Sequence, residues 1–345
     1  MKTKHVLVIR FSAMGDVAMT IPVLQQLLQQ NPDVRITVLT QKFLAPLFDT
    51  MERTIVYPVE TKGKHKGLYG LFKLFNELKK QNKFDSIADL HHVFRSGIIR
   101  FLFKTAGVPS AHIDKGRNEK KRLTRKKNKN FVQLKTSFQR YAAVFTSLHI
   151  PLTLNNSQTV FSKRPLPLTA GWLFSKTKKN ICIAPFAKHQ EKMYPLNKIK
   201  KVIKNLSGQS DLQLFLLGGG NTEITILNEW ENEFPGIIDL AGKFSFSEEL
   251  SIISNMDMMV SMDSANMHLA SLFGVPVVSV WGATHPFAGF YGWGQPAENA
   301  IQIDLFCRPC SVFGNKPCYR GDHACMQRLP EENIIEKVMT MNKLF

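Results

Sequence analysis

Three places in the chain put polar side chains where an apolar run gives way to a helix. Asp16 follows the run Val6 to Arg10 and a turn through Ser12-Ala13-Met14-Gly15. There a carboxylate either caps the following helix or acts as a general base toward a hydroxyl within hydrogen-bond reach. The string Met262-Asp263-Ser264-Ala265-Asn266-Met267-His268-Leu269-Ala270 sets Asp263 at a strand end, Ser264 and Ala265 at a helix entrance, and His268 about one turn inside. Free N–H groups and the positive dipole end suit a diphosphate at such an entrance. Singly, Asp263 or Ser264 also reads as a cap and His268 as a core histidine; the whole string favours a phosphate site. Lys192, in Glu191-Lys192-Met193-Tyr194-Pro195, precedes a helix beginning near Pro195. Its ammonium either neutralises a departing diphosphate or is solvated surface. Gly218-Gly219-Gly220 permits close backbone approach to a ligand, Gly219 at its centre, or a tight turn. It lacks the full dinucleotide spacing, and the chain has no GxxxxGK[ST] loop, which counts against dehydrogenase and NTPase readings.

These residues need a scaffold, and the apolar pattern supplies one. Strands are expected at Val6 to Arg10, Val34 to Leu39 and Ser86 to Leu90, with helices from Ile21 through Leu28, over Leu68 to Lys79 and through Ser137 to Leu148. Asp114 to Asn130 reads as polar and irregular. The pattern restarts with strands at Asn180 to Ala184, Leu212 to Leu217, Ile237 to Leu240, Met258 to Met262 and Val275 to Trp281, and helices around Glu248 to Ser254 and Asn266 to Phe273. Alternation of this kind predicts an α/β protein with parallel sheets. Two such halves joined by a hinge form a cleft between the C-terminal ends of their strands. The boundaries expected are 1–163 for an N-terminal domain, 164–178 for a linker, 179–330 for a C-terminal domain, and 331–345 for a final helix that packs back on the first domain. His91, His92 and Arg95, after the strand at Ser86, are candidates for acceptor contacts.

With 345 residues, 44% hydrophobic and 21% charged, the chain is long enough for two domains. The run Val6 to Ile9 is too short for a secretory signal and no stretch reaches about 20 apolar residues. A cytoplasmic protein starting at Met1 is expected, with any membrane contact peripheral. The net charge of +18 favours phosphate-rich partners. Between Lys115 and Lys129 nine basic residues, Arg117, Lys120 and Lys121 among them, face one acid, Glu119. That stretch reads either as a solvated loop or as a contact for the phosphates of an anionic lipid or a phosphorylated glycolipid. It lacks interleaved aromatics, so nucleic acid is the less favoured partner. Cys307, Cys310, Cys318 and Cys325 approximate a four-thiolate zinc spacing, with His323 as a substitute ligand. A structural role is expected of them, and no catalytic metal.

Met14-Gly15-Asp16 followed by Thr20-Ile21-Pro22, then Lys192-Met193-Tyr194-Pro195, Leu240-Ala241-Gly242-Lys243 and Ser261 to Ala270, together resemble glycosyltransferase family 9, the lipopolysaccharide heptosyltransferases. The resemblance continues through Gly274-Val275-Pro276 to Trp281-Gly282-Ala283-Thr284, in the expected order. It implies a GT-B fold of two Rossmann-like doubly wound domains facing a central cleft, with the acceptor on the N-terminal side around Gly15. It implies inverting, metal-independent transfer from ADP-heptose to the lipid A–core acceptor, without a required cofactor, at the inner face of the inner membrane. Asp16 matches the catalytic aspartate, Lys192 the donor-phosphate lysine, and Asp263, Ser264 and His268 the donor-binding string, in which Ala265 replaces a usual glycine. Lys243 and Phe244 fall by the adenine and Glu223 toward the ribose. The alternatives are a GT-B transferase or epimerase-like relative using another nucleotide sugar, and a basic nucleic-acid-binding protein.

Overall fold

The structure, a computed structural model, describes residues 3–343. In chain order its elements are β1 (Lys4–Ile9), α1 (Met14–Ala18), α2 (Ile21–Gln30), β2 (Val34–Thr40), β3 (Thr54–Pro58), α3 (Gly67–Gln81), β4 (Ser86–Asp89), α4 (Phe94–Thr105), β5 (Ser110–His112), α5 (Arg117–Leu123) and α6 (Ser137–Thr146). They continue with β6 (Lys179–Ala184), α7 (Leu196–Ser207), β7 (Leu212–Leu216), α8 (Asn221–Glu233), β8 (Ile238–Asp239), α9 (Phe246–Ser254), β9 (Met258–Met262), α10 (Ala265–Leu272), β10 (Val277–Val280), β11 (Ala300–Ile301), α11 (Ala324–Gln327) and α12 (Glu331–Asn342). The expected turn at 12–16 holds the short helix α1. The stretch expected to be irregular holds α5.

Two compact units result among the described residues, one of 3–115 with 135–156, the other of 116–134 with 157–343. The basic stretch is therefore an excursion of the chain into the second unit, although the expected boundary at 163 put it in the first. Residues 164–178, expected as a linker, belong to the second unit too. So does α12: Ile334, Val338 and Met341 are buried in the same core as Ile199, Val202, Ile203 and Leu206 of α7. The last helix, expected to pack back on the first domain, thus contributes to the core of the second unit. Residues 344 and 345 of that expected segment lie outside the described residues.

In the first unit the strand order is β3-β2-β1-β4-β5, and in the second β11-β10-β9-β6-β7-β8. Every strand pair is parallel. Val6 to Ile9 and Met258 to Met262 are wholly buried because helices cover both faces, so these strands read as continuous apolar runs rather than alternating ones. Each sheet winds outward from a central strand, β1 in one and β6 in the other, and reverses direction there. The reversal opens a crevice at the strands' C-terminal ends between β1 and β4, and between β6 and β9.

One half-buried acid links the stability of the second unit to pH. Burial pushes Glu249, on α9, up to about 7. The folded state thus holds a proton that the unfolded chain releases near the ordinary carboxylate value. The associated stability is full below that value and is lost as pH rises through about 7. Thermal unfolding of Glu249→Gln should show a flatter pH dependence than wild type, with a gain on the order of 2 kcal/mol at pH 8 and none near pH 4.

Candidate active site

In the first unit the crevice beside β1 holds a charged pair. Arg10, at the end of β1, places Nη2 2.5 Å from Asp16 Oδ2, with side chains 8% and 32% exposed. Asp16 is the third residue of α1, and the same oxygen accepts the Ala13 N–H at 3.4 Å, so it also serves the helix entrance in part. Burial disfavours the Arg10 charge, but Tyr141, Asp16 and Asp89 more than offset this. Its Nη1 donates to the Leu90 carbonyl at 2.8 Å, and its guanidinium lies 6.0 Å from the Tyr141 ring centre. The guanidinium is thereby fixed from several sides and holds the carboxylate in one orientation, with its outer part open to solvent. Arg10, Tyr141 and Asp89 were not singled out from the sequence. A cation at the end of a buried strand is the one signal that could have pointed to Arg10.

The wall of this crevice comes from the end of β4. Asp89, wholly buried, accepts the N–H groups of His91 and His92 at 3.0 and 2.8 Å and shapes that turn. Burial, reinforced by Arg10 and Lys115, pushes the His91 pKa down to about 3 despite Asp16. His91 Nδ1 accepts the Phe11 N–H at 3.4 Å, so we assign the proton of the neutral ring to Nε2. His92 is tied to the Ile113 carbonyl at 3.0 Å and packs edge-on against His112. Its role here is to hold the turn. Arg95 is exposed on the first turn of α4, and Gly15 lies beside Asp16 in α1.

The second unit repeats the arrangement with opposite chemistry. Lys192 Nζ stands 2.8 Å from Asp263 Oδ2, their side chains 16% and 6% exposed. The Thr284 hydroxyl donates to the same oxygen at 2.8 Å. Lys192 comes from the loop after β6, Asp263 from the end of β9 and Thr284 from the loop after β10, three adjacent strands. The stem of Lys192 lies under Gly314, where a Cβ would come within 2.3 Å of Lys192 Cγ and where φ is +73°. Only a residue without a side chain lets that loop cover the lysine. Glu191 fastens the same loop: its carboxylate accepts the Cys318 N–H at 3.2 Å and pairs with His323 Nδ1 at 3.1 Å.

Ser264 is the N-cap of α10 but makes no side-chain cap bond; its hydroxyl turns to Ser261 at 3.1 Å. The reading of Ser264 as a simple cap therefore does not hold. The half-buried first turn, Ser264 to Asn266 with Ala265 at its first helical position, presents backbone N–H groups beside Lys192 and Asp263. His268 is buried, 7% exposed, one turn further in. Along the same sheet edge, Gly219 donates its N–H to Glu223 Oε2 at 2.8 Å. Lys243 is engaged with Glu231 at 3.1 Å and Asp239 at 3.7 Å, and Phe244 beside it is half-buried. A separate cavity of about 480 Å³ between Lys163, Lys176, Asp211 and Asp257 lies around the start of β6, at the opposite end of the strands. It takes no part in this geometry.

The basic stretch divides into anchors and free charges. Lys120, expected on the acceptor side, is buried with Nζ 4.2 Å from the centre of the Phe290 ring. Lys129 Nζ donates to the Cys307 and Pro309 carbonyls at 2.6 and 2.7 Å. Arg117, Lys121, Arg122, Arg125 and Lys127 are exposed. Cys307, Cys310, Cys318 and Cys325 are free thiols. Among the described residues no three His, Cys, Asp or Glu side chains gather as metal ligands.

The sequence profile of glycosyltransferase family 9 (heptosyltransferase) matches residues 71–316. The chain is 24% identical over 335 residues to lipooligosaccharide heptosyltransferase 2 of Campylobacter jejuni, covering 96% of each chain. Among solved structures it is similar to a family 9 glycosyltransferase from Veillonella parvula, with a TM-score of 0.77, 19% identity and coverage of 100% and 99%. It is also similar to E. coli ADP-heptose LPS heptosyltransferase II, with a TM-score of 0.69, 18% identity and the same coverage. The two parallel sheets thus follow the GT-B fold of these proteins.

Lys192→Met leaves the buried Asp263 carboxylate with a hydroxyl as its strongest neighbour and should cost about 2–3 kcal/mol in urea unfolding. Adding Asp263→Asn should recover most of that loss, since a neutral amide no longer needs the ammonium. A double variant as unstable as the single one would mean that the ion pair is not what holds these two loops.

Proposed function

The chain belongs to glycosyltransferase family 9, the heptosyltransferases, and from that premise we propose that it transfers a heptose from ADP-heptose to a hydroxyl of the lipid A–core acceptor, with inversion and without a metal. The observation that carries this reading is the pairing of chemistries at the two sheet crevices. One offers an oriented, solvent-reaching carboxylate, Asp16. The other offers an ammonium, Lys192, beside the uncapped entrance of α10.

The acceptor hydroxyl attacks the anomeric carbon, and its proton passes to the Asp16 carboxylate. The bond from that carbon to the diphosphate oxygen breaks, and the electron pair leaves on the ADP. Attack from the face opposite the leaving group inverts the centre. Lys192 and the N–H groups of the first turn of α10 receive the growing negative charge, a role a divalent cation fills in other enzymes. Asp263 and Thr284 hold the ammonium in place. His91 Nε2–H stands by Asp16 as a neutral donor for an acceptor oxygen. The names of the relatives support heptose as the sugar and the lipopolysaccharide core as its destination. Arg117, Lys121 and their exposed neighbours on the second unit are suited to phosphates of such an acceptor.

Asp16→Asn should lower kcat by about a hundredfold or more while ADP affinity stays close to wild type. Lys192→Ala should weaken ADP binding and turnover together. Both measurements are made in the presence of a chelator, which should leave wild-type turnover unchanged. An Asp16→Asn enzyme of wild-type rate would remove the base assignment, and chelator inhibition would remove metal independence.

A further inference from the structure

The first unit exposes an apolar surface that its own core does not use. α3 buries Leu71, Leu74, Phe75 and Leu78, yet Leu68, Tyr69 and Phe72 remain 66%, 83% and 52% exposed. At helical spacing these three fall in one arc roughly 100° wide beside the buried stripe. Exposed Lys62, Lys64 and Lys66 precede it in the chain, and exposed Lys73 follows Phe72 directly. The one acid between Thr61 and Lys80, Glu77, is already engaged by the Tyr57 hydroxyl at 2.7 Å, His65 Nε2 at 3.1 Å and Lys64 at 3.7 Å.

The turn that carries the lysines is held in place. His65 is wholly buried, and its Nδ1 accepts the Glu60 N–H at 3.1 Å. α4 packs against α3 and adds Phe94, 79% exposed, and Arg95 on its first turn. In a parallel sheet each helix begins where the preceding strand ends, so the starts of α3 and α4 lie on the same edge as Arg10, Asp16 and His91.

We propose that this rim docks on an anionic phospholipid bilayer. Leu68, Tyr69 and Phe72 enter the boundary between headgroups and acyl chains, and the lysines keep their stems along that surface with their ammonium groups on lipid phosphates. Lysine is depleted at protein–protein interfaces, which disfavours a protein partner for a face this rich in it. A net charge of +18 disfavours a second copy. No helix among the described residues is long and apolar enough to cross a membrane, so this contact is made at the surface. The proposal rests on the transferase reading for its purpose alone, the delivery of a membrane-anchored acceptor to the Asp16 edge. Vesicle binding needs neither donor nor acceptor, so the two readings fail separately.

The test is co-sedimentation of the full chain with vesicles of phosphatidylglycerol and phosphatidylcholine in equal parts, against phosphatidylcholine alone. Wild type should bind the anionic vesicles and bind the neutral ones much more weakly. The triple variant Leu68→Ser, Tyr69→Ser, Phe72→Ser should lose about tenfold or more in affinity, while its melting temperature and its kcat/KM on a delipidated acceptor stay at wild-type values. Arg122→Glu with Arg125→Glu, on the second unit, should bind vesicles within about threefold of wild type. Failure of wild type to sediment, wild-type binding by the triple variant, or a loss confined to the Arg122 and Arg125 variant would each overturn the proposal.

Discussion

A parallel sheet that winds outward in both directions from a central strand cannot cover the gap where the winding reverses. Connections on either side of the gap leave to opposite faces, so loop ends and helix entrances there stay without neighbours. Both sheets of this protein have such a gap, and each fills it with a charged pair, Arg10 with Asp16 and Lys192 with Asp263. The rest of the structure serves to hold these pairs in fixed orientations. Tyr141, the Leu90 carbonyl and the buried Asp89 do so in the first unit; Thr284, Gly314 and Glu191 do so in the second.

Partly buried ion pairs are expensive to desolvate and add little to stability by themselves. That suits a site that must exchange partners. Asp263 holds Lys192 by one short contact and an accompanying hydroxyl bond, and the ammonium remains part-exposed toward the open first turn of α10. The diphosphate proposed to bind there would meet a charge already positioned by its neighbours, so little ordering cost would fall on binding. Arg10 acts on Asp16 in the reverse sense, fixing the carboxylate while leaving it partly open.

Asp16, Lys192, Asp263 and Ser264 were legible in the sequence because strand ends and helix entrances follow from local apolar runs, and the parallel α/β class followed from their alternation. What the sequence left hidden depends on contacts between distant segments. Arg10 matters through Tyr141 and Leu90, and Gly314 through the stem of Lys192. A tally of charge cannot separate Lys120, stacked on Phe290, from its exposed neighbours Lys121 and Arg122. Nor does it reveal that α5 sits in the second unit, because the chain returns to the first at residue 135. The cysteine spacing approximates a zinc site, but it gives no sign that the loop carrying it closes over Lys192.

The account stands on the identity of the sugar donor proposed for the Lys192 crevice. The most direct measurement is mass spectrometry of a delipidated core acceptor after incubation with the enzyme and, in parallel, ADP-heptose, UDP-glucose and GDP-mannose. Addition of a single heptose with stoichiometric ADP release, from ADP-heptose alone, is the predicted result. Transfer from the UDP or GDP sugar with none from ADP-heptose would keep the fold and the charged pairs but contradict the heptose assignment.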